Sequence, residues 1–204
     1  MRRYFLGGMN AVGKSSLARD IQRAEPAIEV VHTTSAMMDW LGIKPGNYDA
    51  LRSLPDDYKQ QQNERMFQAR LTTPPLDEHP LLFDSHYLNL VDGRVSRLIQ
   101  GDWPKYLGGL VLIYADIEVV YDRIQRDAPA RNRRLFPPGS TPRQQLDVLQ
   151  TFARQTEAEF RAIADRFSLP SIAIQNSGND ATPLDDFLTF DYEIRRRHET
   201  LVSQ

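Results

Sequence analysis

The feature that most constrains the fold is a glycine-containing turn near the start of the chain, between a short apolar run and an amphipathic stretch. The turn is Gly8-Met9-Asn10-Ala11-Val12-Gly13-Lys14-Ser15, the apolar run covers residues 4–6, and a helical pattern covers residues 14–24. A strand, a turn and a helix in this order, with these residue types at these spacings, form the G-x-x-x-x-G-K-[ST] pattern. In that pattern the strand belongs to a parallel sheet covered by helices, so we expect an α/β fold.

The chemistry of this turn, hereafter the P-loop (residues 8–15), predicts a phosphate site. Its glycines allow backbone conformations closed to other residues, so N–H groups can approach phosphate oxygens. The helix that begins there adds unpaired N–H groups and the positive end of its dipole. Lys14 is expected to reach the β and γ phosphates as a catalytic cation, and the Ser15 hydroxyl to ligate Mg²⁺. The predicted cofactors are ATP and Mg²⁺, and the residues expected to contact the nucleotide here are Gly8, Asn10, Ala11, Val12, Gly13, Lys14, Ser15 and Ser16.

The rest of the chain alternates short apolar runs with helical patterns. The apolar runs that predict strands cover residues 4–6, 28–31, 81–83, 110–114 and 171–174. The patterns that predict helices cover residues 14–24, 55–71, 117–125, 142–167 and 185–204. This alternation predicts a three-layer α/β/α sandwich with a central parallel sheet of about five strands. Thr141 before Pro142 is a typical N-cap and first helical residue, which supports a helix start at that point.

Asp84 directly follows the apolar run at residues 81–83, where a carboxylate that holds a metal ion belongs. We expect Asp84 to contribute to the Mg²⁺ site with Ser15, although acidic residues also end strands as simple turn formers. Ser85 stands where many ATP-hydrolysing machines carry a glutamate that polarises water. Its presence favours phosphoryl transfer to a bound acceptor over hydrolysis.

Arginines are concentrated between residues 123 and 134, namely Arg123, Arg126, Arg131, Arg133 and Arg134. Phosphoryl transfer spreads negative charge over the moving group, and planar guanidinium groups stabilise that charge in two-point contacts. The cluster continues from a predicted helix into a loop, so it is expected to close over the phosphates as a lid. Arginine near a helix C-terminus is also common on solvated surfaces, and that alternative remains open.

Composition excludes several other classes of function. The 204 residues carry a formal net charge of -2, with 41% hydrophobic and 25% charged residues. We therefore expect neither nucleic acid nor a membrane as a partner. The absence of cysteine excludes disulfides and thiolate metal sites. The start of the chain lacks the pattern of a secretory signal, so we expect a cytoplasmic protein, while the oligomeric state is not determined by the sequence.

Several segments together resemble the nucleoside monophosphate kinases, in particular the short-lid, archaeal-type adenylate kinases. They are the P-loop, LLFDSH at 81–86, VLIYADIEVVYDRIQRDAPARNRR at 111–134, QQLDVLQTFARQTEAEF at 144–160 and SIAIQNSGN at 171–179. The resemblance implies a single P-loop kinase domain over residues 1–204, with a helical acceptor-side insert at 33–75 and a lid loop at 127–141. It also implies that ATP faces a monophosphate acceptor.

The resemblance implies roles for individual residues. Arg123 would lie near the adenine, and Arg126, Arg131 and Arg133 would reach the phosphates, with Arg123, Arg131 and Arg133 taking part in catalysis. Asn176 would lie in the loop beside the base.

The acceptor side departs from the adenylate kinase pattern. In that family a threonine after the second strand is followed by an arginine that grips the acceptor phosphate. Thr34 is present here, but Asp39 stands where the arginine would fall. We expect the acceptor to contact Thr34, Asp39, Asp84 and His86. The arginines that could replace the missing one are Arg52, Arg65 and Arg70.

These departures leave the acceptor open. The leading hypothesis is ATP-dependent and Mg²⁺-dependent phosphoryl transfer to a nucleoside monophosphate or a similar small acceptor. A second hypothesis keeps ATP and changes the acceptor to a non-nucleotide hydroxyl, with Asp39 or Asp84 as base. A third is a regulatory module that binds ATP without turning it over.

Overall fold

The structure is a computed structural model that describes residues 2–73, 80–127, 134–178 and 182–202. Its strands are β1 (Arg3–Gly8), β2 (Glu29–His32), β3 (Leu81–Asp84), β4 (Leu88–Val91), β5 (Arg94–Arg97), β6 (Gly109–Tyr114) and β7 (Ser171–Gln175). Its helices are α1 (Lys14–Ala24), α2 (Thr33–Trp40), α3 (Tyr48–Ser53), α4 (Asp56–Thr72), a 3₁₀ helix (Trp103–Tyr106), α5 (Ile117–Asp127), α6 (Pro142–Phe167) and α7 (Pro183–Val202).

Five strands form one parallel sheet in the order β2-β3-β1-β6-β7. β1 lies at the centre, and every one of its residues is buried. It pairs with β3 through Leu6 opposite Asp84, and with β6 through Gly8 opposite Ile113. Because parallel strands end at the same edge, the P-loop and Asp84 meet at the carboxyl edge of the sheet.

Helices cover both faces of the sheet, and side chains alternate between two cores along each central strand. Tyr4 and Leu6 point into the core shared with α1 and α7, whereas Phe5 points into the opposite core. In that second core the Trp103 ring stacks on the Phe67 ring, with 4.1 Å between the centroids. This two-sided burial explains why the predicted strands read as continuous apolar runs.

All five predicted strands of the sheet are confirmed, with shifts of at most two residues at their ends. The predicted start of α6 is also confirmed, because the Thr141 hydroxyl accepts a hydrogen bond from the Gln144 N–H in a capping box. The sequence analysis missed the antiparallel hairpin of β4 and β5. Its turn, Asp92-Gly93, has positive φ at both residues (49° and 76°), which is the geometry that an Asp-Gly pair between alternating residues favours.

In the described part of the predicted insert at 33–75, α2 and α3 precede α4, whereas the helical patterns of the sequence predicted only the helix at 55–71. Of the predicted lid at 127–141, residues 128–133 lie outside the described part, and this segment includes Arg131 and Arg133. Within the described ranges, no helix has the length and apolar character needed to cross a membrane.

A buried carboxylate joins the last helix to the first strand. Asp191 in α7 is fully buried, and it accepts hydrogen bonds from the Tyr4 hydroxyl (2.5 Å) and from Arg2 Nε (2.9 Å). Arg195 lies 2.5 Å from the other carboxylate oxygen. Burial alone would raise the pKa of Asp191, but the hydrogen bonds from Arg2 and Tyr4 outweigh burial and hold that pKa below its usual range.

Candidate active site

The P-loop connects β1 to α1, and its backbone adopts conformations that only particular residues allow. Gly8 has φ of 151°, and a Cβ there would lie 2.3 Å from the Ile113 carbonyl oxygen. Gly13 has φ of 96°, and a Cβ there would lie 2.2 Å from Asn176 Nδ2. Any larger residue at either position would therefore clash as well as strain the backbone. Both glycines are required for the loop to pack against β6 and the end of β7.

Lys14 is almost buried and lies over its own loop. Its Nζ donates hydrogen bonds to the carbonyl oxygens of Gly8 (3.1 Å) and Met9 (2.6 Å). A carbonyl group is neutral overall, whereas a phosphate group carries a net negative charge, so a bound phosphate is the stronger partner for this ammonium group. The lysine is thus held at the loop in a position from which it can exchange partners.

Ser15 and Asp84 meet across the edge of the sheet. The Ser15 hydroxyl donates a hydrogen bond to Asp84 Oδ2 at 2.7 Å. The same oxygen lies 3.0 Å from His32 Nδ1 at the end of β2. The Asp84 side chain is only 8% exposed, so these contacts fix its direction. A hydroxyl and a carboxylate at this spacing are oxygen ligands of the kind that Mg²⁺ takes when substrate phosphates and water complete its shell.

The segment after Asp84 is locked beneath the P-loop. The Ser85 N–H donates to the Leu6 carbonyl at 3.0 Å, and the buried Tyr87 ring fills the space left by the missing side chain of Gly7. His86, the residue between Ser85 and Tyr87 in the sequence, has its Nδ1 2.8 Å from the Gly8 carbonyl oxygen. The same nitrogen lies 3.4 Å from Lys14 Nζ, so the imidazole is held beside the ammonium group at the P-loop.

Arg123 and Asn176 brace the outer side of the P-loop. Arg123 donates from Nη1 to the Ala11 carbonyl (3.3 Å) and from Nη2 to the Asn176 carbonyl (3.2 Å). The Asn176 side chain donates from Nδ2 to the Val12 carbonyl at 2.8 Å. α5 and the end of β7 are thereby connected to the loop, which stabilises its shape.

The side chains around the P-loop enclose one cleft of about 1170 Å³, which is lined among others by Lys14, Ser15, His32, Asp84, His86, Arg123 and Asn176. Pockets for a single small ligand enclose roughly 300–1,000 Å³, so the cleft has room for a nucleotide and a second small molecule. Among the described residues that line it, the basic ones are Lys14, Arg19, Arg52, Arg123 and Arg126, and the acidic ones are Asp49, Asp84 and Asp127. The excess of basic side chains favours anionic ligands.

The structure brings most of the predicted site residues to this cleft. The predicted residues that line it are Asn10, Ala11, Gly13, Lys14, Ser15, Ser16, Thr34, Asp84, His86, Arg123, Arg126 and Asn176. Gly8 and Val12 are buried and shape the loop from behind. Asp39 is exposed near the end of α2 and does not line the cleft. Arg131 and Arg133 lie outside the described residues.

The cleft also contains residues that the sequence analysis did not select. His32 lies at the end of β2, opposite Asp84 in the strand register. Arg19 in α1 donates to the Ser15 carbonyl and to the Ser16 hydroxyl, each at 3.2 Å. The first turn of α3 also lines the cleft. For His32 a signal existed, since it ends a predicted strand at the same edge as Asp84.

Comparisons with known proteins extend these observations. No protein-family model matches the chain, and no curated protein matches it in sequence. Among solved structures, the shikimate kinase from Bacteroides thetaiotaomicron is similar with a TM-score of 0.56 and 12% identity, over 98% of this chain and 97% of that one. The shikimate kinase from Acinetobacter baumannii, solved in complex with shikimate, is similar with a TM-score of 0.54 and 10% identity, over 100% of this chain and 94% of that one.

At this level of identity the likeness shows the fold alone. The chain has the P-loop α/β fold of these kinases, with a central five-stranded parallel sheet between helical layers. The predicted fold class is thereby confirmed.

Proposed function

We propose that the protein is a small-molecule kinase that transfers the γ-phosphoryl group of ATP to an acceptor bound in the same cleft. The observation that carries this proposal is that Lys14, Ser15 and Asp84 lie together in the cleft beside the P-loop. Ser15 and Asp84 are in hydrogen-bond contact, and Lys14 is held by two carbonyls of the loop. The kinase fold of the similar structures and the size of the cleft agree with it.

In the proposed reaction, the chain binds and orients two substrates and stabilises charge. Lys14 exchanges its contacts with the Gly8 and Met9 carbonyls for oxygens of the β and γ phosphates. Ser15 and Asp84 would hold Mg²⁺, and the bound ion would neutralise phosphate charge. The bond between the β,γ-bridging oxygen and the γ-phosphorus breaks, a bond from an acceptor oxygen to that phosphorus forms, and ADP leaves. Arg126, with Arg131 and Arg133 of the predicted lid, would stabilise the developing charge.

The acceptor that we favour is a nucleoside monophosphate, as in the adenylate kinases that the sequence resembles. A phosphate acceptor is already an anionic nucleophile at neutral pH and needs no base to remove a proton. The basic side chains of the cleft suit two phosphorylated ligands facing each other. Coupled assays with ATP, Mg²⁺ and a panel of monophosphates test this acceptor directly.

A specific observation favours a second acceptor class, a hydroxyl group of a non-nucleotide small molecule. Asp84 lies between Ser15 Oγ and His32 Nδ1, so its carboxylate could take a proton from a hydroxyl that displaces one of them. One of the similar solved structures holds shikimate, a molecule with such hydroxyls. Thermal-shift measurements separate the two classes, because a bound acceptor raises the unfolding temperature by an amount that grows with the logarithm of its concentration divided by its dissociation constant.

The decisive variant for the kinase activity is Lys14→Ala. We expect it to reduce phosphoryl transfer by at least about a thousandfold, because the β and γ phosphates lose their fixed cation. Lys105→Ala is a matched control, since Lys105 is an exposed lysine over the Tyr106 ring on the 3₁₀ helix, outside the cleft. Circular dichroism checks that both variants fold. If the wild type transfers phosphate to no acceptor of either class, the proposed activity is wrong.

A further inference from the structure

The short helix α3 presents two side chains of different chemistry to the cleft. Tyr48 and Arg52 are four residues apart on this helix, and both line the cleft. Residues at this spacing lie on the same helical face, with about 5–6 Å between their Cβ atoms. A ring and a guanidinium group therefore stand side by side across from the P-loop.

The position of α3 is fixed by its other contacts. Leu51 is partly buried and packs against the core that contains Phe67 and Trp103. At the start of the helix, the Asn47 side chain accepts a hydrogen bond from the Ala50 N–H at 3.2 Å. α3 therefore packs against the core through Leu51, while Tyr48 and Arg52 line the cleft.

Of the three arginines that could replace the one missing at position 39, Arg52 is the one that lines the cleft. Arg65 is exposed on α4 and does not line the cleft. Arg70 lies 3.5 Å from Glu29, and it does not line the cleft either.

Arg52 contacts Asp49 at 2.9 Å, but the Asp49 side chain is 92% exposed. Exposed ion pairs contribute little, so a bound anion competes well with this contact.

Tyr48 adds a second requirement to the ligand. Tyr48 lines the cleft and the residue is 49% exposed, so part of its surface is in contact with water. Stacking of a planar ring on an aromatic side chain removes that surface from water, and it is a common basis of base binding. A ligand with an anionic group and a planar ring can contact both side chains of α3.

We propose that Tyr48 and Arg52 form the acceptor-recognition face of the cleft, with Arg52 holding the acceptor's anionic group and Tyr48 stacking on its aromatic ring. This inference rests on the proposed kinase function and narrows its acceptor. It selects a nucleoside monophosphate over anionic acceptors without an aromatic ring, such as shikimate.

The experiment is a set of calorimetric titrations on protein saturated with Mg²⁺ and a non-hydrolysable ATP analogue, so that no turnover is needed. The ligands are AMP, GMP, CMP and UMP, with adenosine as a ring without phosphate, and ribose 5-phosphate and shikimate as anions without an aromatic ring. The variants are Arg52→Ala, Tyr48→Ala and Tyr48→Phe, and Arg65→Ala is the matched control on the neighbouring helix. Each variant is also titrated with the ATP analogue alone.

We expect the wild type to prefer one of the monophosphates. Arg52→Ala should lower the affinity for that monophosphate and for ribose 5-phosphate by roughly tenfold to a hundredfold, and the affinity for adenosine by less than threefold. Tyr48→Ala should lower the affinity for the monophosphate and for adenosine by about tenfold and leave the affinity for ribose 5-phosphate unchanged. Tyr48→Phe and Arg65→Ala should behave like the wild type, and all variants should bind the ATP analogue normally.

The inference is overturned if Arg52→Ala and Tyr48→Ala bind the preferred monophosphate within twofold of the wild type. It is also overturned if the wild type binds no monophosphate, or binds shikimate or ribose 5-phosphate more tightly. In each of these cases, normal binding of the ATP analogue together with transfer to another acceptor would leave the kinase function standing. Loss of the kinase function itself would instead appear as no transfer to any acceptor.

Discussion

Removal of the Asn176 side chain tests whether the contacts behind the P-loop hold it in its phosphate-binding shape. Asn176 Nδ2 donates to the Val12 carbonyl at 2.8 Å, and Val12 is fully buried. Asn176→Ala leaves that carbonyl oxygen without this donor. The bonds from Arg123 to the carbonyls of Ala11 and Asn176 remain, so the variant isolates one contact.

The size of the effect follows from the burial of the acceptor. A typical hydrogen bond contributes about 1 kcal/mol net, and an unpaired buried group costs about 1–3 kcal/mol. We expect the free energy of unfolding to fall by about 1–2 kcal/mol. In the variant the loop can relax to expose the Val12 carbonyl to water, and nucleotide binding must then restore the original shape. If restoring that shape takes the full 1–2 kcal/mol out of the binding free energy, the dissociation constant for Mg–ATP rises roughly 5- to 30-fold.

Isothermal titration calorimetry with Mg–ATP measures the affinity, and urea unfolding measures stability. Asn89→Ala is the matched control, because Asn89 is an exposed asparagine of the β4–β5 hairpin, outside the cleft. It should change neither quantity appreciably. If Asn176→Ala lowers stability but binds Mg–ATP within twofold of the wild type, the side chain supports the fold without organising the loop, and the reasoning is refuted.

Three further predictions concern stability and are checked by urea unfolding. Asp191→Asn should lower the free energy of unfolding at pH 7 by about 1–3 kcal/mol, because Arg2 and Tyr4 lose a charged hydrogen-bond acceptor while Arg2 keeps its ion pair with Glu25. Folding lowers the Asp191 pKa, so this difference should persist down to the ordinary aspartate pKa and shrink as the pH falls through the lower folded-state value; a difference that does not depend on pH would contradict the prediction. Gly7→Ala should cost roughly 1–3 kcal/mol, since its Cβ would lie 2.2 Å from a ring carbon of the buried Tyr87, and an unchanged stability would show that the ring can move aside. Ala11→Val should cost at least about 1 kcal/mol because φ is 64° at this position, a conformation that β-branched residues resist, whereas Ala11→Gly should be close to neutral.

Local patterns were sufficient to predict the sheet strands, most of the helices and the edge of the sheet at which the P-loop and Asp84 lie. The glycine spacing, the strand before it and the helix after it are all contained within about twenty residues, so no long-range information was needed to predict the P-loop. Asp84 was predictable for a related reason. A carboxylate at the end of a buried parallel strand must lie at the same edge as the loop, whatever the order of the strands.

The β4–β5 hairpin shows a signal that was present but not used. The Asp92-Gly93 pair lies between alternating buried and exposed residues of β4 and an exposed β5. Its residues carry less apolar character than the sheet strands, because this hairpin is not covered on both faces. A half-buried hairpin does not produce the continuous apolar runs by which the five strands of the sheet were predicted.

Tertiary structure alone decided which residues line the end of the cleft where we propose that the acceptor binds. The sequence does not distinguish Arg52, Arg65 and Arg70, since each lies on or near a polar helical segment. Of the three, Arg52 lines the cleft, on a helix that packs against the core through Leu51. The packing of α2 likewise leaves Asp39 outside it. A motif encodes contacts among neighbours in the chain. A cleft is formed by side chains that are distant in sequence, so the residues that line it depend on how the helices pack on the sheet.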